Sequence, residues 1–152
     1  MSIERDYILR MISRLALVVA AMLGFRRRKD IEGALQELHE AYGDMFVPLG
    51  DSIARLDAES AMALIDDPGK LFALGRLLHE EGKLMNLKAA PLDAARFEAR
   101  ARTLVEEALR REPALMDVDE FRELIWFAPG AAGRGPSAEP PDRRDGPGTL
   151  LP

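Results

Sequence analysis

The sequence predicts an all-α fold of about six to seven helices, and three observations carry that reading. Ala and Leu supply most of the 47% hydrophobic residues, while aromatics make up only 6%; strands favour the β-branched and aromatic side chains that are scarce here. Apolar residues recur at spacings of three and four, the period of one helix face. No segment alternates apolar and polar residues over a strand's length, so no sheet is predicted. At 152 residues the chain suits one domain, and its apolar content excludes global disorder.

Helix breakers divide the predicted domain, residues 1–128, into its elements. The first helix runs from about Ile3 to Gly24 or a little beyond. Ile8, Met11, Ile12, Leu15, Val18, Val19, Met22 and Leu23 make a single stripe along it. Asp30 is placed to cap a second helix, Ile31–Val47, which Pro48 ends in the turn Pro48-Leu49-Gly50. A short helix follows near Ser52–Leu56, and Asp57 caps another at Ala58–Ile65. Asp67-Pro68 is a strong start, with a capping carboxylate and proline at the first helical position, for a helix reaching about Asn86. After the break Lys88-Ala89-Ala90-Pro91 a long helix extends to about Glu112, where Pro113 stops it. Asp117 with Glu120 three residues on has capping-box spacing for a last helix ending near Phe127.

Composition changes at Pro129. Residues 129–152 hold six of the ten prolines and five of the twelve glycines, and almost no apolar side chain before Leu150. Such a segment cannot offset its ordering entropy by burial, and a disordered tail is expected. Leu150 and Leu151 leave a terminal docking element as the alternative to a solvated end.

Charge is unevenly spread. Residues 1–30 carry seven Lys/Arg against three Asp/Glu, for +4; residues 31–128 carry eleven against twenty, for −9. Phosphate is repelled over most of such a body, so no nucleic-acid partner is expected. The absence of cysteine excludes a disulfide framework, a thiolate metal site and a nucleophilic thiol, and fits a cytoplasmic location.

The first helix poses the main functional question. Its longest uncharged run, Leu15–Phe25, has eleven residues, whereas a spanning helix needs about 20. Glu4 and Asp6 stand where a signal peptide has a basic leader. Two readings remain: the stripe is core, with Ala16, Ala20 and Ala21 letting a neighbouring helix approach, or it lies on a membrane surface with Arg26, Arg27, Arg28 and Lys29 meeting anionic lipid. The same four cations serve equally as a contact for an acidic partner, or as the solvated end of a helix whose dipole favours cations there.

Two helices share a signature. Ala34-Leu35-Gln36-Glu37-Leu38-His39-Glu40 resembles Ala73-Leu74-Gly75-Arg76-Leu77-Leu78-His79-Glu80, with the histidines forty residues apart. A period of this size points to stacked helical hairpins. Leu71-x2-Leu74-Gly75-x2-Leu78 and Ala101-x3-Val105-x2-Ala108-x4-Pro113 are similar to the two helices of the tetratricopeptide repeat, and Ala34-x3-Leu38-x2-Ala41 repeats part of that register. The family places its second small residue twelve after the glycine, whereas Ala101 falls twenty-six after Gly75. The resemblance implies helical hairpins and a role in binding peptides or helices in a groove. The opening Asp6-Tyr7-Ile8-Leu9-Arg10-x-Ile12 is similar to that of small bacterial helical proteins of uncharacterised function, which implies no activity.

Catalytic chemistry finds no motif. His39 and His79 are each followed by Glu but complete neither His-Glu-x-x-His nor Glu-x-x-His. Glu80-Glu81 and Glu106-Glu107 are neighbours in sequence, about 100° apart on a helix, with arginines three or four residues away; they read as solvated salt-bridging faces. No metal or cofactor is expected. The reading is therefore a non-enzymatic protein–protein interaction module, an adaptor or scaffold for a protein or peptide partner. Peripheral membrane association through the first helix is the alternative. The residues singled out are Arg26, Arg27, Arg28 and Lys29 for an anionic partner or lipid, and Trp126, in the aromatic cluster Phe121-Ile125-Trp126-Phe127, as a partner anchor or a cap on the core.

Overall fold

The structure, a computed structural model, describes residues 2–129, with side chains from Asp6 onward; beyond Pro129 the predicted tail lies outside the described residues. Six α-helices follow in order: α1 (Ser2–Arg27), α2 (Ile31–Met45), α3 (Ala58–Leu64), α4 (Pro68–Leu87), α5 (Pro91–Arg111) and α6 (Asp119–Leu124). Two 3₁₀ turns stand at Gly50–Arg55 and Pro113–Asp117. The described residues contain no strand. The all-α prediction holds.

The predicted caps form where they are local. Side-chain oxygens of Asp30, Asp57 and Asp67 accept from the amides of Gly33, Ser60 and Gly69 at 2.9, 2.7 and 3.0 Å, satisfying donors at the starts of α2, α3 and α4. The capping box at Asp117 does not form. Pro113 opens a 3₁₀ turn that takes Asp117 as its last residue, so α6 begins after Val118, without a side-chain cap, and ends three residues before Phe127. Short-range 3₁₀ bonding has displaced the α-helical start by one residue.

Two helices end in left-handed residues that are not glycine. Lys29 and Ala89 have φ of 59° and 60°. In each case the amide of the following residue reaches back to the carbonyl five positions earlier, Asp30 to Phe25 and Ala90 to Met85, both at 2.9 Å. These closures reverse the chain and build two antiparallel hairpins, α1–α2 and α4–α5.

Helix α4 is the centre. Leu71 to Leu78 are all buried, including Arg76, because α5 covers one side and α1 and α2 the other. Small residues set the spacing within the α4–α5 hairpin. A Cβ on Gly75 would lie 2.8 Å from the Ala101 carbonyl oxygen and 2.7 Å from Val105 Cγ2. One on Gly82 would meet Phe97 Cβ at 3.2 Å. The residues that carried the tetratricopeptide resemblance therefore meet across one hairpin. Ala34, Leu38 and Ala41 are buried on α2, which packs on α1 and α4.

Two arginines of α5 tie down the segment between the hairpins. Arg100 donates to the carbonyls of Ala54 and Leu56, each at 2.7 Å, and Arg111 to those of Ile65 and Met62 at 2.7 and 2.8 Å. Carbonyls left unpaired where α3 and the first 3₁₀ turn end thus gain charged donors. Helix α6 closes the base, with Phe121 edge-on to Phe72 at 4.8 Å between ring centres.

Ala89→Gly relieves the left-handed strain at a site already shaped for glycine and is expected to raise stability by about 0.5–1 kcal/mol. Gly75→Ala, which forces backbone apart, is expected to lower it by about 1–3 kcal/mol. Thermal denaturation of the two variants reads both signs.

Candidate functional site on the outer face of the first helix

Helix α1 has two apolar faces. The inner one is core: Met11, Ile12, Leu15, Val18 and Met22 are all buried. Leu23, predicted within that stripe, instead lies outside at 42% exposure, because the 3-4 spacing drifts around the helix and carries it off the seam. The outer face holds Ser13, Ala16, Leu17 and Ala20, all exposed, with Leu17 at 70%. The span Asp6–Arg27 has a mean hydropathy of 1.9 over its most apolar window, of which only 22% is buried. By length and composition it is apolar enough to cross a membrane, which the uncharged run of eleven residues understated: Arg10 and Arg14 are the charges that interrupt it.

The basic end of α1 is divided. Arg27, Arg28 and Lys29 are exposed, and the Arg28 guanidinium lies 5.1 Å from the centre of the Phe25 ring. Arg26 is turned inward, its side chain 18% exposed, in an ion pair with Glu80. Three of the four predicted cations therefore remain available to an anionic contact, and the fourth is claimed by the interior.

Glu80 is fully buried, which corrects its reading as part of a solvated face. Its carboxylate pairs with Arg26 from α1 and with Arg76 one turn earlier on α4, and Lys83 approaches to 3.5 Å. Burial pushes the carboxyl up, but Arg76, Lys83 and Arg26 outweigh it and hold Glu80 below the usual range. Glu81 points the other way and accepts from the Tyr42 hydroxyl at 2.9 Å; burial, outweighing that bond, raises its carboxyl. Glu106 has one buried oxygen without a protein partner. Glu107 alone of the four fits the sequence reading, pairing with Arg110 and Arg111, whose hydrogen bonds lower it to about 2.

Trp126 is engaged within the chain. Its ring stacks on His79 at 4.1 Å, its Nε1 donates to Glu98 at 2.6 Å, and the Arg76 guanidinium lies 5.6 Å from its centre. This is the core-capping alternative rather than an anchor offered outward. His79 Nδ1 lies 2.6 Å from the other Glu98 oxygen. Burial lowers the imidazole, with Glu98 opposing. His39, exposed on α2, is 3.9 Å from Asp51. Each histidine thus meets one carboxylate, and the described residues hold no group of three or more metal-ligating side chains. A cavity of about 610 Å³ lies between the starts of α1 and α4 and the second 3₁₀ turn, lined by Tyr7, Ile8, Asp67, Glu112 and Leu115 among others. Its polar groups are a phenol and two carboxylates, with no nucleophile–base pair.

Sequence reasoning missed the outer face of α1. Ala16 and Ala20, expected to let a neighbouring helix of the core approach, are instead exposed, because they lie one turn apart on the side opposite the core stripe. No family model, no curated protein and no solved structure matches this chain.

Glu80→Ala leaves buried guanidinium groups unpaired and is expected to cost about 3 kcal/mol in a thermal or chemical melt. Because Glu80 and Glu107 both have lowered folded values, their stabilisation is present above the unfolded carboxyl range. It is lost as pH falls below about 4.5. An acid titration of unfolding free energy should therefore fall in that window, and less steeply in Glu80→Gln.

Proposed function

We propose that this chain is a non-enzymatic protein–protein interaction module that works through the outer face of α1. The observation that carries the reading is the uncharged, exposed surface of Ser13, Ala16, Leu17 and Ala20 on a helix whose other face is core. An exposed apolar stripe on a helix already packed in a domain marks a surface that a partner covers. The tetratricopeptide resemblance of the α4–α5 hairpin supports the same class of role, and the expected setting is the cytoplasm.

Peripheral membrane association is the second reading, favoured by Arg10 and Arg14 before the stripe and Arg27, Arg28 and Lys29 after it. Against it, the face presents one exposed leucine, Leu17, among Ser13, Ala16 and Ala20, a thin apolar layer for insertion. The −9 body is also repelled by anionic lipid.

A photo-reactive residue at Leu17 is expected to capture protein in cells of the native host, while the same residue at Ala99, exposed on α5, captures none. Flotation with anionic vesicles supplies the contrast. Vesicle binding without capture at position 17 moves the assignment to the membrane reading.

A further inference from the structure

We infer that one end of the helix bundle, where the α1–α2 and α4–α5 turns lie together, docks on an anionic bilayer with Leu87 and Leu92 inserted. This contact uses a different surface from the outer face of α1 and leaves that face to its own partner.

Helix contacts put both turns at one end. Helices α1 and α4 run in the same direction. At the start of α4 a Cβ on Gly69 would lie 2.6 Å from Met11 Cε. Further along, Arg26 in the last turn of α1 pairs with Glu80, two turns before α4 ends. The α1–α2 turn therefore lies beside that pair, and the α4–α5 turn stands about 10 Å beyond it.

The α4–α5 turn is apolar. From Leu87 to Leu92 the one charged residue is Lys88. Leu87 and Leu92 are 48% and 75% exposed, and Ala89 and Pro91 between them are exposed as well. Ala89 keeps an apolar side chain at a φ of 60°, where glycine or asparagine is the less strained choice. The backbone suits a layer poor in water. The amides of Lys88, Ala89 and Ala90 all donate to carbonyls in the last turn of α4, and Pro91 has no N–H. These four residues enter lipid without stranding a donor.

Charge names the occupant. Arg27, Arg28, Lys29 and Lys88 are exposed at this end. The carboxylates near them are Asp30, which accepts from the Gly33 amide, the exposed Glu32, and Asp93, 3.8 Å from Arg96. With Arg96 counted, five cations stand against three carboxylates, although residues 1–128 together carry eighteen Lys/Arg and twenty-three Asp/Glu. Cations around exposed leucines match an anionic headgroup layer over hydrocarbon. End-on contact also avoids the repulsion that opposes α1 lying flat. The turn projects farther than the Debye length of about 8 Å in physiological salt, which screens the acidic body from the lipid.

The full chain should partition onto phosphatidylcholine vesicles that contain phosphatidylserine, far less onto phosphatidylcholine alone, and less as salt rises. The double variant L87A/L92A, altered at two exposed positions, should partition at least tenfold more weakly. R27Q/R28Q/K29Q should do so roughly a hundredfold. Leu17→Ala should change nothing, and circular dichroism checks that each variant is folded. The chain has no cysteine, so a polarity-sensitive dye reports single sites: on Leu92→Cys it should shift to the blue with vesicles, on Leu17→Cys it should not. A chain that ignores phosphatidylserine vesicles overturns the proposal. So does a loss in Leu17→Ala as large as in L87A/L92A, the mark of α1 lying flat. Partition that needs the cations but is indifferent to both leucines overturns the insertion and marks a site for an acidic protein. Capture at position 17 is scored separately: capture without partition sinks this contact alone, and leucine-dependent partition without capture sinks the interaction reading alone.

Discussion

The structure depends on one buried carboxylate. Glu80 sits where α1 passes over α4, and its partners come from both helices: Arg76 on its own turn, Arg26 from the last turn of α1. A buried carboxylate costs several kcal/mol in lost hydration, so it persists only where its lone pairs are met by charge. That requirement acts on α1 as a rotational stop. With Arg26 drawn inward, Met11, Leu15, Val18 and Met22 fall on the core side. Ser13, Leu17 and Ala20 are thereby left outside. The exposed face is thus a by-product of satisfying a charge elsewhere. A purely apolar contact between α1 and α4 would be as stable or more so, yet it would not specify which side of an apolar helix turns in.

The second constraint is the thinness of the α4–α5 contact. A helix buried on all sides along Leu71–Leu78 needs neighbours at close range on opposite flanks. Gly75 and Gly82 supply that range toward α5, where the backbone of Ala101 and the β-carbon of Phe97 occupy the space a side chain would take. Close backbone approach strengthens dispersion contacts and leaves little room for shear between the two helices. The long-range arginine–carbonyl bonds of Arg100 and Arg111 then fasten the intervening segment to the same rigid pair.

Local features were the legible ones. Asp30, Asp57 and Asp67-Pro68 announce helix starts because a cap needs only the next two or three residues. The close approach of α4 and α5 was legible in their small residues, Gly75 and Ala101, which meet across the pair. The failures involve partners far apart in sequence. Glu80 looked like half of a solvated pair because its inward role depends on Arg26, 54 residues away. Trp126 was read two ways because Glu98 and His79, which occupy its polar edge and its face, belong to other helices. The outer stripe of α1 was hidden by the inner one, since a helix apolar on two sides offers no contrast by which to phase either.

The His79–Trp126–Glu98 group has a spectroscopic consequence. Trp126 is the only tryptophan in the chain, and it lies face to face with an imidazole whose pKa burial lowers. A neutral imidazole leaves indole emission largely intact, whereas an imidazolium in van der Waals contact accepts the excited electron. The fluorescence of the native chain is therefore an internal gauge of one proton on His79 and of the seating of the segment after α6. It reads both without an added label.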